Sequence, residues 1–118
     1  MSDWEIEYYT TASGRCPVQD YLDAQSATDA AAVTAVIDLL ASTGLALSAP
    51  HVRQVEGKLW ELRAKARRLH RVFYFAAHGR RFVLLHGYTK QGQKAPKREI
   101  QTAQQRLADY EARREKGR

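Results

Sequence analysis

Three runs of strand-forming residues follow one another between residues 59 and 90, separated by only short polar breaks, and such a chain is expected to build an antiparallel meander. In residues 59–67, Trp60, Leu62, Ala64 and Ala66 alternate with Glu61, Arg63, Lys65 and Arg67. That alternation predicts a half-buried strand with one charged face. The second run, LHRVFYFAA, is nearly apolar throughout and belongs at the centre of a sheet. A turn around Gly79 leads into the third, FVLLHGYTK, on which Phe82, Leu84, His86, Tyr88 and Lys90 share one parity.

The flanks supply one more strand and the helices. Residues 4–10 alternate and are rich in Tyr and Ile, which predicts a strand, and Gly14 marks the turn after it. Pro17 suits the first turn of a short helix whose apolar face holds Val18, Tyr21 and Leu22. Ser26, with Asp29 in the following turn, resembles a helix N-cap. Ala30, Val33, Ile37 and Leu40 then form a stripe, widened by Val36 and Leu39, and Gly44 closes it as a C-cap. The two helices are close enough in sequence to form a hairpin. Residues 45–57 show no clear period and are taken as a linker. After a polar loop at 91–95, Pro96 opens a last helix with Ile100, Ala103, Leu107 and Tyr110 on one stripe. The expected order is β-α-α-β-β-β-α. This is an α+β fold with an antiparallel or mixed sheet of about four strands, an N-terminal helical hairpin and a C-terminal helix, in one domain over residues 1–118.

Charge is divided unevenly along this framework. Residues 1–50 carry one cation, Arg15, and seven acids; residues 51–118 carry eighteen cations and six acids. Between residues 57 and 98, twelve lysines and arginines face a single acid, Glu61. Cations mounted on a sheet have fixed spacing, which suits a phosphate backbone better than a disordered tail would. A lone cysteine, Cys16, excludes an internal disulfide, and no Cys/His zinc pattern is present. No apolar run is expected to be long enough to span a bilayer, and no membrane partner is expected. The opening MSDWEIEYY is unlike a secretory leader, so the expected location is cytoplasmic.

The chain has no glycine-rich phosphate loop, no HExxH and no GxSxG, and it places no carboxylate pair in the basic stretch. No metal and no cofactor are expected. Cations, hydroxyls and imidazoles remain, and they suit metal-free cleavage of RNA. There the substrate's own 2′-hydroxyl is the nucleophile, and the protein aligns the chain, stabilises charge on the phosphate and assists proton transfer.

The run LWELRAKARRLHRVFYFAAHGRRFVLLHGYTKQGQKAPKREIQTAQQRLADY resembles the RelE/HigB superfamily of toxins, in particular its phage-derived HigB-like branch. The resemblance is carried by an LWELR strand at 59–63, an R-x-x-Y strand at 71–74, LLH-x-Y-x-K at 84–90, K-x-P at 94–96 and E-I-x-x-A at 99–103. It implies a RelE-like fold and a type II toxin that cuts mRNA on the ribosome. It also implies a cognate antitoxin, a HigA-like helix-turn-helix protein. Arg71 matches the family's arginine early in the second meander strand, Lys90 a basic residue near the end of the last, and Arg63 closes the strand before. Glu61 stands where RelE carries an alternating lysine, and Tyr88 and His86 are the groups available by chemistry to move protons. Lys65, Arg67, Arg68, Arg80, Arg81, Lys94 and Lys97 are expected to contact RNA.

Plainer roles compete with these. Arg71 could be a structural arginine bonded to the C-terminus or to Glu61, His86 a satisfied core histidine, and Tyr88 packing. Two other functions use the same sequence: a ParE-like toxin that binds gyrase, and an RNA-binding module without catalysis.

Overall fold

The computed structural model describes residues 4–92 and 96–116. The elements run β1 (Glu5–Tyr8), α1 (Pro17–Asp23), α2 (Ala27–Thr43), a 3₁₀ turn at Gly44–Ala46, β2 (Val52–Glu56), β3 (Leu59–Lys65), β4 (Leu69–Ala77), β5 (Arg81–Lys90) and α3 (Lys97–Lys116). They form one mixed sheet of order β1-β5-β4-β3-β2, with β1 parallel to β5 and the other neighbours antiparallel. The expected helices, the meander and the α+β class are all present, and the architecture is compatible with a RelE-like fold.

The sheet has a core on each face. On one side α1 and α2 bury Val18, Leu22, Val33, Ile37 and Leu40 against Leu62, Val72, Tyr74, Phe82 and Leu84. On the other, α3 sets Ala103, Leu107 and Tyr110 against Leu59, Phe73, Phe75, Val83 and Leu85. Helix α2 starts where expected, with the Ser26 hydroxyl accepting from the Asp29 amide at 3.2 Å, and Gly44 at φ 69° ends it.

The structure corrects four expectations. Residues 45–57 are not wholly linker: β2 is a fifth strand at the sheet edge. Its two valines give no alternating signal, because Val52 enters the α2-side core while Val55, after a bulge between Gln54 and Glu56, packs on the α3 side. The charged face of β3 is not solvated along its length, since α3 lies across it and Leu59 and Glu61 are buried. The single parity assigned to β5 fails because of a second bulge, where Phe73 pairs with His86 but Tyr74 pairs with Leu84. The extra residue, Leu85, shifts the register. Phe82 and Leu84 therefore face the helical hairpin, whereas Leu85 and Tyr88 face α3. Finally, residues 27–46 are long and apolar enough to span a bilayer by length and composition, contrary to the sequence reading, although the Val33–Ile37–Leu40 stripe is here packed on the sheet.

Candidate functional site

Register brings the candidate residues together on the α3 face. Arg63 pairs with Arg71 and Arg71 with Tyr88, so the three stand in a row across β3, β4 and β5. Neighbouring strands are about 4.8 Å apart, close enough for all three side chains to meet one small anion. The adjacent row is Arg53, Glu61, Phe73 and His86; the row toward the sheet end is Lys65, Leu69 and Lys90.

Glu61 holds the arginines. It is 4 % exposed, and its Oε1 lies 3.3 Å from Arg63 Nε and 3.6 Å from Arg71 Nε. Arg71, only 7 % exposed, donates through Nη1 to the His70 carbonyl at 3.2 Å. Its Nη2 makes no hydrogen bond within the described residues. Burial lowers the proton affinity of this guanidinium, Glu61 opposes that, and Arg63 and Arg53 add to it. Arg71 is a cation at neutral pH regardless, as guanidinium groups in proteins are.

Tyr88 is the unusual member. Its ring stacks on Phe73 at 5.5 Å, while its hydroxyl is buried without a hydrogen-bond partner among the described residues. Burial, followed by the charge of Glu61, pushes its pKa up to about 12. The group is a neutral phenol with a proton to give, and an unsatisfied buried hydroxyl costs about 1–3 kcal/mol, which a ligand can recover.

His86 is differently placed. Its Nε2 lies 2.5 Å from Glu99 Oε1, and Arg106 Nη1 donates to its Nδ1 at 3.0 Å as well as to the Leu85 carbonyl. Because Arg106 can only donate, Nδ1 accepts and Nε2 carries the proton. Burial holds the imidazole below its usual pKa despite Glu99. With both nitrogens engaged, His86 ties α3 to the sheet, and proton transfer through it would require one of these bonds to open.

The other cations divide between the two ends of the sheet. Lys65, Arg67 and Arg68 are exposed at the β3–β4 turn, Lys90 is half-buried at the end of β5, and Lys97 is exposed in the first turn of α3. All of them are at the Arg71 end. Arg80, in the turn before β5, and Arg81, the first residue of β5, lie at the other end, roughly 23 Å from the Arg71–Tyr88 row at about 3.3 Å per residue. There Arg81 pairs with Glu7 at 3.0 Å and Arg80 sits over the Trp4 ring. Lys94 lies outside the described residues. The sequence reading assigned no role to Arg53, Glu99 or Arg106, and none but a structural contact to Glu61. Arg53 was hidden in an unrecognised strand. Glu99, Ala103 and Arg106 do share a helical face, a signal that was available. Among the described residues no three His, Cys, Asp or Glu side chains converge as a metal site.

Sheet order, helix placement and the arginine row define an α+β protein compatible with the RelE-like class. Residues 20–108 match the family described as Phage derived protein Gp49-like (DUF891), and since this segment is more than half of the chain, the protein belongs to that family, which is of the RelE/HigB toxin type. No curated protein matches the chain.

Proposed function

We propose that this protein is the toxin of a type II toxin–antitoxin pair, a HigB-like, metal-independent endoribonuclease that cuts mRNA on the ribosome. The observation that carries the reading is the row Arg63–Arg71–Tyr88, two guanidiniums and a hydroxyl without a partner among the described residues, side by side at the basic end of the sheet. Arg71 and Arg63 would take the scissile phosphate and stabilise the charge that grows on it as the 2′-oxygen attacks. Tyr88 would protonate the departing 5′-oxygen. Lys90 and Lys65, in the next row, would hold neighbouring phosphates, and Arg67, Arg68 and Lys97 would dock on ribosomal RNA. A HigA-like antitoxin would neutralise the toxin by covering this face, and the setting would be the cytoplasm, with the ribosome.

Primer extension on mRNA in a reconstituted translation system, with wild type and Arg71→Ala and with and without ribosomes, tests this. Ribosome-dependent cuts that vanish in the variant are expected. Folded wild type that binds ribosomes without cutting would instead be an RNA-binding module. Failure to bind ribosomes together with inhibited supercoiling would point to gyrase.

A further inference from the structure

The nuclease reading leaves one proton without a destination, that of the attacking 2′-hydroxyl. His86 has both ring nitrogens engaged, and Tyr88, with its pKa raised to about 12, is a poor acceptor at neutral pH. Glu61 remains. Both arginine contacts use its Oε1, and Oε2 takes no hydrogen bond from any described residue. In the RNA-free protein the carboxylate is the counter-ion of Arg63 and Arg71, and it therefore sits beside the place a phosphate would take.

Resting on the proposed nuclease function, we infer that Glu61 is the general base of the reaction, accepting the 2′-hydroxyl proton on Oε2. The sheet supplies the required disposition. Glu61 is on β3 and Tyr88 on β5, flanking Arg71 on β4, so base and acid are roughly 10 Å apart on opposite sides of a phosphate held by Arg71. In-line displacement needs acceptor and donor on opposite sides of phosphorus. The 2′-oxygen forms its bond to phosphorus as its proton passes to Glu61. The bond from phosphorus to the 5′-oxygen breaks as that oxygen takes the Tyr88 proton. The products are a 2′,3′-cyclic phosphate and a 5′-hydroxyl, and solvent returns the proton from Glu61 to Tyr88. No oxidant, reductant or metal is required.

The test compares Glu61→Gln, Tyr88→Phe and wild type on programmed ribosomes. The substrates are a normal mRNA, one with a 2′-deoxy residue at the cut site, and one whose 5′-leaving oxygen is replaced by sulfur, which departs without protonation. Glu61→Gln keeps a carbonyl for the arginines and removes an anion. It should bind the 2′-deoxy mRNA as tightly as wild type or more so, while cleaving about 10²–10⁴-fold more slowly. The sulfur substrate should rescue Tyr88→Phe and leave Glu61→Gln slow. Glu61→Asp, which retains the charge, substitutes for the Gln variant if that variant does not fold, and should be slow without loss of binding. Cleavage by Glu61→Gln within about threefold of wild type would overturn the inference alone, at an effect too small for a general base. So would joint loss of binding and cleavage, which marks a residue that only positions Arg71, or rescue of Glu61→Gln by sulfur. Absence of cleavage by wild type on every substrate would overturn the nuclease function and the inference with it.

Discussion

Among the described residues each face of the sheet buries one carboxylate, and the two are finished differently. On the helical-hairpin face Asp29 is fully engaged. Its Oδ1 accepts from the amides of Arg67 and Arg68 at 3.0 and 3.3 Å and meets His70 Nε2 at 3.0 Å, and its Oδ2 accepts from the Ser26 hydroxyl at 2.8 Å. His70, wholly buried, continues through its Nδ1 to the Tyr21 hydroxyl at 2.5 Å, and Tyr21 meets Thr89 at 2.9 Å. The donor order that satisfies every group is Thr89 to Tyr21 to His70 to Asp29. On the α3 face Glu61 has two long contacts through one oxygen, and the hydroxyl nearby, Tyr88, has no partner among the described residues. The first arrangement ties the start of α2 to the β3–β4 turn and leaves nothing to react. The second keeps a hydroxyl, a carboxylate and a guanidinium incompletely satisfied among the described residues, which is the state in which a site can gain from a ligand.

This contrast can be broken from either side. The largest effect is expected on the open face, where Arg71→Ala should lower the cleavage rate about 10²–10³-fold, the usual result of removing a donor to a developing oxyanion. Primer extension measures it, and a loss below tenfold with folding intact would reduce Arg71 to a structural partner of Glu61. On the closed face, Gly87→Ala should destabilise by about 1–3 kcal/mol in urea denaturation, as overpacking does. A Cβ there would meet the Tyr21 ring at 2.7 Å and push its hydroxyl away from His70 and Thr89. Unchanged stability would mean that Tyr21 can move at no cost. Ser26→Ala removes both the helix cap and a donor to Asp29 and should cost about 1 kcal/mol by the same assay.

Acid sharpens the comparison. Hydrogen bonds from His70 and then Ser26 hold the Asp29 pKa at about 2 against an ordinary 3.8. A carboxyl whose pKa is depressed on folding contributes stability in full above its unfolded value, and that contribution is lost as pH falls through the folded value. Acid unfolding should therefore show a loss between about pH 4 and 2 that Asp29→Asn abolishes, the variant being less stable at neutral pH and flatter below. An identical acid profile for both proteins would remove Asp29 as the pH-sensitive lock of that face. The smallest effect is expected at the far end of the sheet. Arg81→Gln, which loses the Glu7 pair, should leave cleavage within about twofold, as distant sites behave independently. A large loss would extend the RNA path across the whole sheet.

Much of this was legible in the sequence, and the illegible part has a definite character. Local chemistry determined the three meander strands, the Ser26 cap and Gly44 stop of α2, the short Pro17 helix and the concentration of cations after residue 57. Backbone sterics, alternation and capping act over a few residues and survive any packing. Contacts made across long separations could not be read. Asp29 and His70 are 41 residues apart, and their pairing depends on α2 crossing the end of β3 and β4. Glu61 reads as a solvated acid on an alternating strand, but in the folded sheet it is buried beside Arg63 and Arg71. The bulge between Phe73 and Tyr74 decided more than any single residue, because one extra residue on β5 exchanges the faces of everything beyond it. It leaves Phe82 and Leu84 in one core and sends Tyr88 to Arg71 in the other. The sequence therefore determined which groups the protein owns, and the register of the folded sheet, a property no local pattern carries, decided which of them meet.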